Sequence, residues 1–298
     1  MNKLYFGDNL WHLTESIDDE SVDLVYLDQP FNSQAQYNVF FKTPEGVASE
    51  AQAEAFRDTW TWTNDAELGF DEIIRSGSSA VPVIDALRRY LKEADLMAYL
   101  VMMTSRLSHL HRVLKPSGTI YLHCDTTASH YLKLLLDGIF GPGRFRNEIS
   151  WKRSQPKSHA TRNFSNCRDV LLRYTKGDDW TFNPLHVAHD PTYVEKFYRH
   201  VDLNGRRYRL GDLTNPNKDR PNLTYDFLGV RRVWRWTRDR MEQAYAEGLI
   251  VQSRPGAIPQ AIRYLDDMAG TPVTDDWNDI EHCTVPILNF LDIRLKNR

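Results

Sequence analysis

Apolar and polar positions alternate along the first part of the chain in a way that predicts strands and helices in turn. Residues 22–27 form an apolar run that only Asp23 interrupts, as expected for a strand in a sheet covered by helices on both faces. Over residues 95–114, leucines and a methionine recur at steps of three and four, which predicts a long amphipathic helix. The pattern therefore indicates an α/β domain at the start of the chain.

Turn residues and further apolar runs extend this domain. Residues 115–118, Lys-Pro-Ser-Gly, are predicted to end the long helix, and residues 32–65, which show no clear period, are predicted to form a long loop. Further apolar runs predict strands at 4–6, 119–123, 147–152 and 169–174, a short helix from residue 10 and a helix at 128–140. Together with the elements above, they predict a doubly wound α/β core over residues 1–180.

The regular alternation ends after this core. Asn-Gly and Asn-Pro turn signals follow, so we expect an inserted lobe of short elements over residues 181–275. Residues 276–298 form a divergent tail. Its apolar run at 285–291 is open to interpretation as a domain strand, as a dimer contact or as an artefact of truncation.

Composition is that of a soluble globular protein. Of 298 residues, 41% are hydrophobic and 26% are charged, which excludes a disordered or collagen-like chain. No apolar run reaches the length of a membrane span, and acidic residues follow the N-terminus too soon for a signal peptide, so a cytoplasmic location is expected. The three cysteines lie far apart, and the paired histidines lack further ligands at metal spacing. Neither a disulfide framework nor a metal site is predicted.

Charge is distributed unevenly, although the net charge is only −3. Residues 1–143 contain 11 Lys+Arg and 20 Asp+Glu, whereas residues 144–240 contain 21 and 11. A cationic section of this kind suits the phosphate backbone of double-stranded DNA. Within it, residues 230–240, VRRVWRWTRDR, place five arginines around two tryptophans, which favours phosphate contacts over a solvated face. The predicted DNA-binding residues are Lys152, Arg153, Arg231, Arg232, Arg235 and Arg238.

The strand at residues 22–27 runs directly into Asp28, Gln29, Pro30 and Phe31. Ligands of open α/β sheets bind outside the carboxyl ends of strands, so this tetrapeptide is the candidate catalytic loop. An exocyclic amino group of adenine or cytosine is a poor nucleophile because its lone pair is conjugated with the ring. The Asp28 carboxylate and the Gln29 carbonyl can accept its N–H bonds and expose the lone pair, while Phe31 offers a stacking face. The base must leave the duplex to reach such a pocket.

Residues 28–31 resemble the D-P-P-Y/F motif of the DNA N6-adenine and N4-cytosine methyltransferases. The resemblance implies a Rossmann-like, S-adenosylmethionine-dependent methyltransferase core with an inserted target-recognition lobe. It also implies that Asp8 and Asp28 lie beside the cofactor, while His123 and Asp125 suit a pocket wall or a structural strand end equally. It covers most of the chain and continues through RVLKPSG at 112–118, YLHCD at 121–125, FRNEI at 145–149 and WNDI at 277–280.

Two departures from the family pattern bear on catalysis. Gln29 replaces the first proline of the motif, so the stiff Pro-Pro pair is lost, although Pro30 still favours an extended conformation at Gln29. We therefore predict weakened rather than absent polarisation of the amino group. The glycine-rich F-x-G-x-G loop that approaches the cofactor in the family is not found after Asp279. The cofactor half of the fold is expected to be missing or replaced.

Three hypotheses follow. The first is a site-specific DNA methyltransferase of a restriction-modification system. Its target would be N6 of adenine because the motif begins with Asp rather than Ser, and it would act alone, as a homodimer or with a second chain that supplies the glycine loop. The second is a catalytically silent DNA-binding fragment of such an enzyme. The third is an unrelated nucleotide-binding α/β enzyme, since sheet topology alone does not determine function.

Overall fold

The computed structural model describes residues 2–29, 36–39, 53–57, 60–156, 161–280 and 292–293. The chain forms two compact units. The first comprises Met1–Asn183 and Thr274–Arg298, and the second is Pro184–Val273, inserted within the first. Across these described stretches, no helix combines the length and the apolar character that crossing a bilayer requires.

Both units contain helices and strands. The helices are α1 (Asn9–Glu15), α2 (Asn64–Ser76), α3 (Val81–Leu91), α4 (Asp95–Val113), α5 (Ser129–Phe140), α6 (Pro191–Phe197) and α7 (Arg238–Ala246), with short 3-10 turns at Pro142–Arg144 and Pro221–Leu223. The strands are β1 (Val22–Asp28), β2 (Gln36–Val39), β3 (Ala53–Arg57), β4 (Leu114–Cys124), β5 (Phe145–Lys152), β6 (Arg168–Thr175), β7 (His186–Val187), β8 (His200–Val201), β9 (Arg207–Asp212), β10 (Thr224–Phe227), β11 (Val230–Val233), β12 (Ile250–Val251), β13 (Gln260–Tyr264), β14 (Thr271–Pro272), β15 (Asp276–Trp277) and β16 (Asp292–Ile293).

A mixed sheet organises the first unit, with its strands in the order β15, β5, β6, β4, β1, β16. β1 runs parallel to β4, and β5 runs parallel to β15, whereas β6 lies antiparallel between β4 and β5. Because β6 is reversed, its first residues lie at the same sheet edge as the last residues of β1, β4 and β5. The register places Asp28 opposite His123, and His123 opposite Leu171.

The helices α1 to α5 share a core with one face of this sheet, whereas Leu24 and Tyr26 of β1 are 41% and 42% exposed, so the expected cover of helices on both faces is not found among the described residues. Strand residues alternate between the two faces, and in β4 the buried residues Ile120, Leu122 and Cys124 belong to the core. Tyr121 and His123 therefore point to the opposite face. Each helix from α1 to α5 contributes buried residues to the same core, among them Leu13, Ile73, Ile84, Met103 and Leu136.

Most elements predicted from apolar spacing are present in the first unit. α4 and α5 confirm the helices predicted at 95–114 and 128–140, each to within a residue of its ends. The predicted strand at residues 4–6 is wrong. Leu4 and Phe6 are 74% and 92% exposed, and no strand of the described residues pairs with them, so the apolar run alone does not make a strand.

The predicted end of the long helix is confirmed. α4 ends at Val113, just before residues 115–118, which belong to β4 beginning at Leu114. The pairing with β1 skips these residues, which therefore form a bulge. A Cβ atom on Gly118 would lie 2.9 Å from the carbonyl oxygen of Lys115, so this close approach requires glycine.

The loop predicted at residues 32–65 is wrong in part, because β2 and β3 lie within it as an antiparallel pair. α2 and α3 are not among the elements predicted from the sequence. Thr63 caps α2 by accepting a hydrogen bond from the backbone N–H of Ala66 at 3.5 Å, and Gly77 follows its end with φ of 62°. These are the expected start and stop signals of a helix, so the sequence marks α2 by its caps.

The second unit contains a four-stranded sheet in the order β12, β13, β9, β8 and a hairpin of β10 and β11. Its core surrounds Trp234, which is fully buried and donates from Nε1 to the carbonyl oxygen of Tyr225 at 2.9 Å. Leu213, which follows β9, and Met241, which lies in α7, belong to the same core. Trp234 in the arginine-rich segment thus stabilises the unit instead of facing a ligand.

Candidate functional site

Three titratable side chains meet at the sheet edge where β1 and β4 end and β6 begins. Asp28 ends β1, His123 lies opposite it in β4, and Asp169 is the second residue of β6. Nδ1 of His123 lies 3.0 Å from Oδ1 of Asp28, and Nε2 lies 3.3 Å from Oδ2 of Asp169. We call these three residues the carboxylate-histidine bridge.

The bridge is largely withdrawn from water. The side chains of His123 and Asp169 are 8% and 4% exposed, whereas that of Asp28 keeps 19%. Burial by itself lowers the pKa of His123, but hydrogen bonds to Asp169 and Asp28 outweigh it and raise the pKa to about 9. The imidazole is therefore protonated at neutral pH between two carboxylates.

Three further side chains border the bridge. Nε of Arg153 lies 2.9 Å from Oδ1 of Asp169, in an ion pair rather than a hydrogen bond. The ring of Trp151 meets that of His123 edge-on, with centroids 5.6 Å apart. Burial, together with the nearby carboxylates, raises the pKa of Tyr26 to about 12, so its phenol stays neutral. Two cations thus balance two carboxylates at this edge.

Of the predicted catalytic loop, the structure describes Asp28 and Gln29. The Gln29 side chain is 5% exposed, and neither Nε2 nor Oε1 has a hydrogen-bond partner among the described residues. An amide buried without any partner would cost about 1–3 kcal/mol. Pro30 and Phe31 lie outside the described residues, and their roles stay predictions.

Asp8, predicted to contact the cofactor, caps α1. Its Oδ1 accepts the backbone N–H of Leu10 and Nη2 of Arg106, both at 2.8 Å. Arg106 also donates from Nε to the side-chain oxygen of Asn9 at 2.8 Å, so these contacts tie the start of α1 to α4. The Asp8 side chain remains 59% exposed, and a cofactor contact there stays a prediction.

The two residues predicted either as pocket wall or as structural strand end differ in their contacts. His123 joins the bridge with Asp28. Asp125 instead accepts the backbone N–H and the hydroxyl of Thr127, at 3.0 Å and 2.9 Å. It therefore shapes the turn before α5.

Asp169 was missed as a site residue by the sequence analysis. Burial of an ionisable side chain at the start of an apolar strand is rare unless the side chain is paired. A second signal is that residues 153–167 lack a helical pattern. Parallel neighbours need a long crossover connection, usually a helix, so this connection favours an antiparallel β6, which brings Asp169 to the edge occupied by Asp28.

The predicted DNA-binding residues are divided between the two units. In the first unit, Lys152 ends β5 and is followed by Arg153, which borders the bridge. In the second unit, Arg231 and Arg232 lie in β11, Arg238 begins α7, and Arg235 lies between these elements.

The arginines of the second unit are exposed, and most have acidic neighbours. Nη1 of Arg231 lies 2.8 Å from Oδ2 of Asp226, and Nη1 of Arg238 lies 3.5 Å from Oε1 of Glu242. Arg232 makes no ion pair within the part of the chain that the structure describes. Exposed ion pairs contribute little, so phosphate groups can compete with these acids. The DNA contacts themselves stay predictions.

The fold and the site define an α/β protein whose polar cluster lies at the carboxyl edge of its sheet, where proteins of this class bind ligands. The chain belongs to the DNA methylase family, because the family model for N6/N4 methyltransferases, described as DNA methylase, matches residues 22–253. The predicted family and its α/β methyltransferase fold are thereby confirmed. An unrelated nucleotide-binding enzyme is excluded.

Characterised relatives carry related names. The chain is 30% identical over 200 residues to the type II methyltransferase M.EcaI of Enterobacter cloacae, covering 65% of this chain and 44% of that protein. It is 27% identical over 293 residues to the type III restriction-modification enzyme StyLTI Mod subunit of Salmonella typhimurium LT2, covering 94% and 41%. The chain thus spans less than half the length of either relative.

Among solved structures, the chain is similar to the cytosine-N4-specific PvuII DNA methyltransferase. The TM-score is 0.34 at 14% identity, covering 65% of this chain and 54% of that one. A similarity of this size carries no further conclusion.

Proposed function

We propose that this chain methylates an exocyclic amino group of DNA, N6 of adenine, with S-adenosylmethionine as the donor and after the base has flipped out of the duplex. The observation that carries the proposal is the placement of Asp28. Its carboxylate lies at the carboxyl end of a central strand, retains 19% exposure, and has one oxygen 3.0 Å from Nδ1 of His123. Its other oxygen has no hydrogen-bond partner among the described residues, and we assign it to accept an N–H bond of the base.

The chemistry asked of the chain is to expose the lone pair of the amino nitrogen. Asp28 accepts one N–H bond, and the Gln29 carbonyl is assigned the other, which draws the nitrogen towards tetrahedral geometry. When bound, S-adenosylmethionine supplies a methyl group. The amino nitrogen would form the new bond to that methyl carbon, and the electron pair of the broken carbon–sulfur bond would leave with the donor. The nitrogen then releases one proton, which the Asp28 carboxylate can accept.

Asp28 and Asp8 are the described residues that could contact S-adenosylmethionine. Asp28 offers a partly exposed carboxylate that would attract the sulfonium cation of the donor, since opposite charges attract strongly where water is excluded. Asp8 already binds Arg106, so its contribution would have to come from the exposed part of its side chain. No step of the proposed chemistry depends on Asp8.

DNA binding is assigned to the cationic residues. Arg231, Arg232, Arg235 and Arg238 are exposed on the second unit, which we propose to be the target-recognition lobe. Lys152 and Arg153 would contact DNA from the first unit. Phosphate contacts position the duplex, while base edges determine the sequence that is recognised.

The test is methyl transfer to unmethylated genomic DNA from S-[methyl-³H]adenosylmethionine, followed by digestion to nucleosides. We expect label in N6-methyldeoxyadenosine. Label in N4-methyldeoxycytidine would correct the target base but keep the reaction. Absence of label while the chain binds DNA and donor would contradict the proposal.

A second candidate is DNA binding without methyl transfer, and the replacement of the first motif proline by Gln29 favours it. Calorimetry with S-adenosylmethionine separates the two candidates. A Kd below about 100 μM, equivalent to roughly −5.5 kcal/mol, indicates a formed cofactor site. Weaker binding favours the silent candidate. If a second chain or a homodimer completes the cofactor site, the Kd will fall when that chain is added or when the protein concentration rises.

A further inference from the structure

The carboxylate-histidine bridge contains a residue that the proposed chemistry does not use. His123 lies in β4, directly opposite Asp28 in the parallel register of β1 and β4. Its two ring nitrogens face two different carboxylates, at 3.0 Å and 3.3 Å. The ring is buried, with its side chain 8% exposed.

We propose that His123 is a positioning residue: by binding Oδ1 of Asp28 through Nδ1, it directs Oδ2 to the base amino group, while Asp169 holds the ring from its other side. This inference rests on the proposed function of Asp28. It assigns one oxygen of that carboxylate to His123 and the other to the base amino group.

Hydrogen-bond counting supports this assignment. A carboxylate accepts only, and a neutral imidazole has a single N–H, so donation to both carboxylates requires the imidazolium form. The pKa of about 9, raised by the hydrogen bonds to Asp169 and Asp28, agrees with that form at neutral pH. The charged and titratable groups around the ring are Asp28 and Tyr26 of β1, Asp169 of β6, and Arg153 after β5.

The bridge also explains why Asp169 and Arg153 occur together here. Asp169 is 4% exposed, and a carboxylate buried without compensation would be protonated or would destabilise the fold. Arg153 on one oxygen and His123 on the other neutralise it. Asp169 is thereby held as a charged acceptor that fixes the orientation of the His123 ring.

Two substitutions of His123 separate its two contacts. Nδ1 of histidine lies two bonds from Cβ, as does the side-chain nitrogen of asparagine. Nε2 lies three bonds from Cβ, as does the side-chain nitrogen of glutamine. His123→Asn therefore retains a donor towards Asp28 and loses the one towards Asp169, and His123→Gln does the reverse.

The activity test uses the full chain, unmethylated genomic DNA and saturating S-adenosylmethionine. We expect His123→Gln to lower kcat by on the order of 10- to 100-fold, the range of a misplaced proton acceptor, with KM for DNA unchanged. His123→Asn should retain at least several-fold more of kcat than His123→Gln. A purely structural role would reduce both variants equally, or would raise KM, and either result overturns the proposal. His130→Asn, at an exposed histidine of α5, is the matched control.

A second measurement does not depend on methyl transfer. Selective ¹⁵N labelling of histidine follows each ring through a pH titration. We expect His123 to titrate well above the ordinary 6.5, and Asp28→Asn and Asp169→Asn each to lower its pKa. The proposal is overturned if His123 titrates near 6.5, or if its pKa is unchanged in Asp28→Asn.

The two measurements distinguish failure of this inference from failure of the proposed function. If the titration shows coupling to Asp28 but no variant and no wild-type protein methylates DNA, the bridge is confirmed and the proposed reaction is wrong. If the wild-type protein methylates DNA but the coupling is absent, the reaction holds and the role of His123 is wrong.

Discussion

Nδ1 of His123 lies 3.0 Å from Oδ1 of Asp28, although 95 positions separate the two residues along the chain. The parallel pairing of β1 and β4 places them directly opposite each other at the carboxyl edge of the sheet. Asp28 is therefore oriented by a side chain from a neighbouring strand, which is a more rigid support than a loop. This relationship leads to predictions for each component of the site.

Asp28→Asn should lower the rate of methyl transfer by at least about 100-fold at saturating donor, because an amide is a much weaker proton acceptor than a carboxylate. DNA affinity should change little, since the contacts assigned to DNA lie elsewhere. Initial rates and fluorescence anisotropy with labelled duplex measure the two quantities. Asp18→Asn, at an exposed site, is the control. Retention of more than a tenth of the rate by Asp28→Asn would exclude it as the acceptor.

Gln29→Pro should raise methyl transfer several-fold at saturating donor. Proline fixes φ and restores the stiff pair found in the family, so less order has to be created when the base binds. It also removes a buried amide that has no partner among the described residues. The measurement is the initial rate with tritiated donor.

Gln29→Met is the matched variant, since it removes the amide at similar volume but leaves the backbone free. It should raise the free energy of unfolding by about 1 kcal/mol, measured by urea denaturation, and should gain less rate than the proline variant. Equal rates in the two variants would mean that the loss of backbone stiffness at position 29 does not limit methyl transfer.

The triple variant Arg232→Ala, Arg235→Ala and Arg238→Ala should weaken DNA binding and flatten its salt dependence. Each phosphate contact contributes about 0.9 to the slope of log K against log salt, so loss of three contacts reduces the slope by about 2 to 3. Binding is measured by anisotropy at four salt concentrations. Arg75→Ala with Arg89→Ala, exposed residues of the acidic section, is the control. An unchanged slope in the triple variant contradicts the assignment.

Stability should fall as pH rises from about 6.5 to about 9. The folded protein holds the His123 proton more tightly than the unfolded chain, because the pKa is raised from 6.5 to about 9. The resulting stabilisation is complete below the unfolded pKa and is lost as pH passes through the folded pKa. Its upper limit is on the order of 3 kcal/mol.

Urea denaturation at intervals between pH 6 and pH 10 measures this slope. The His123→Asn variant should lack it, whereas His130→Asn should retain it. A wild-type stability that stays constant over this range would show that the bridge does not hold a proton in the folded protein.

Part of the fold follows from local patterns. The long helix α4 and the strand β1 have apolar positions that repeat with the periods of a helix and of a buried strand, so their neighbours in sequence suffice to predict them. Leu4 and Phe6 show the limit of this argument. They form an apolar run, but a strand also needs a partner strand, and none of the described strands pairs with them.

The site was predictable to a smaller extent. Asp28 follows β1 immediately, and the carboxyl end of a sheet strand is the expected position of a ligand site, so this residue could be identified from the sequence. Asp169 could not be placed beside it without the direction of β6. Gln29 was visible as a departure from the family motif, but its burial was not.

The sequence by itself determined several elements, among them α4, α5 and β1, together with the residue at the end of β1 and the family to which the chain is similar, because periodicity and motifs are properties of residues close together in the chain. The tertiary structure alone decided that His123 and Asp169 share a site with Asp28. That arrangement depends on the order, direction and register of β1, β4 and β6, which bring together residues separated by 46 and 95 positions. Hydrogen bonds of about 3 Å form only when that register is correct, and no local pattern encodes it.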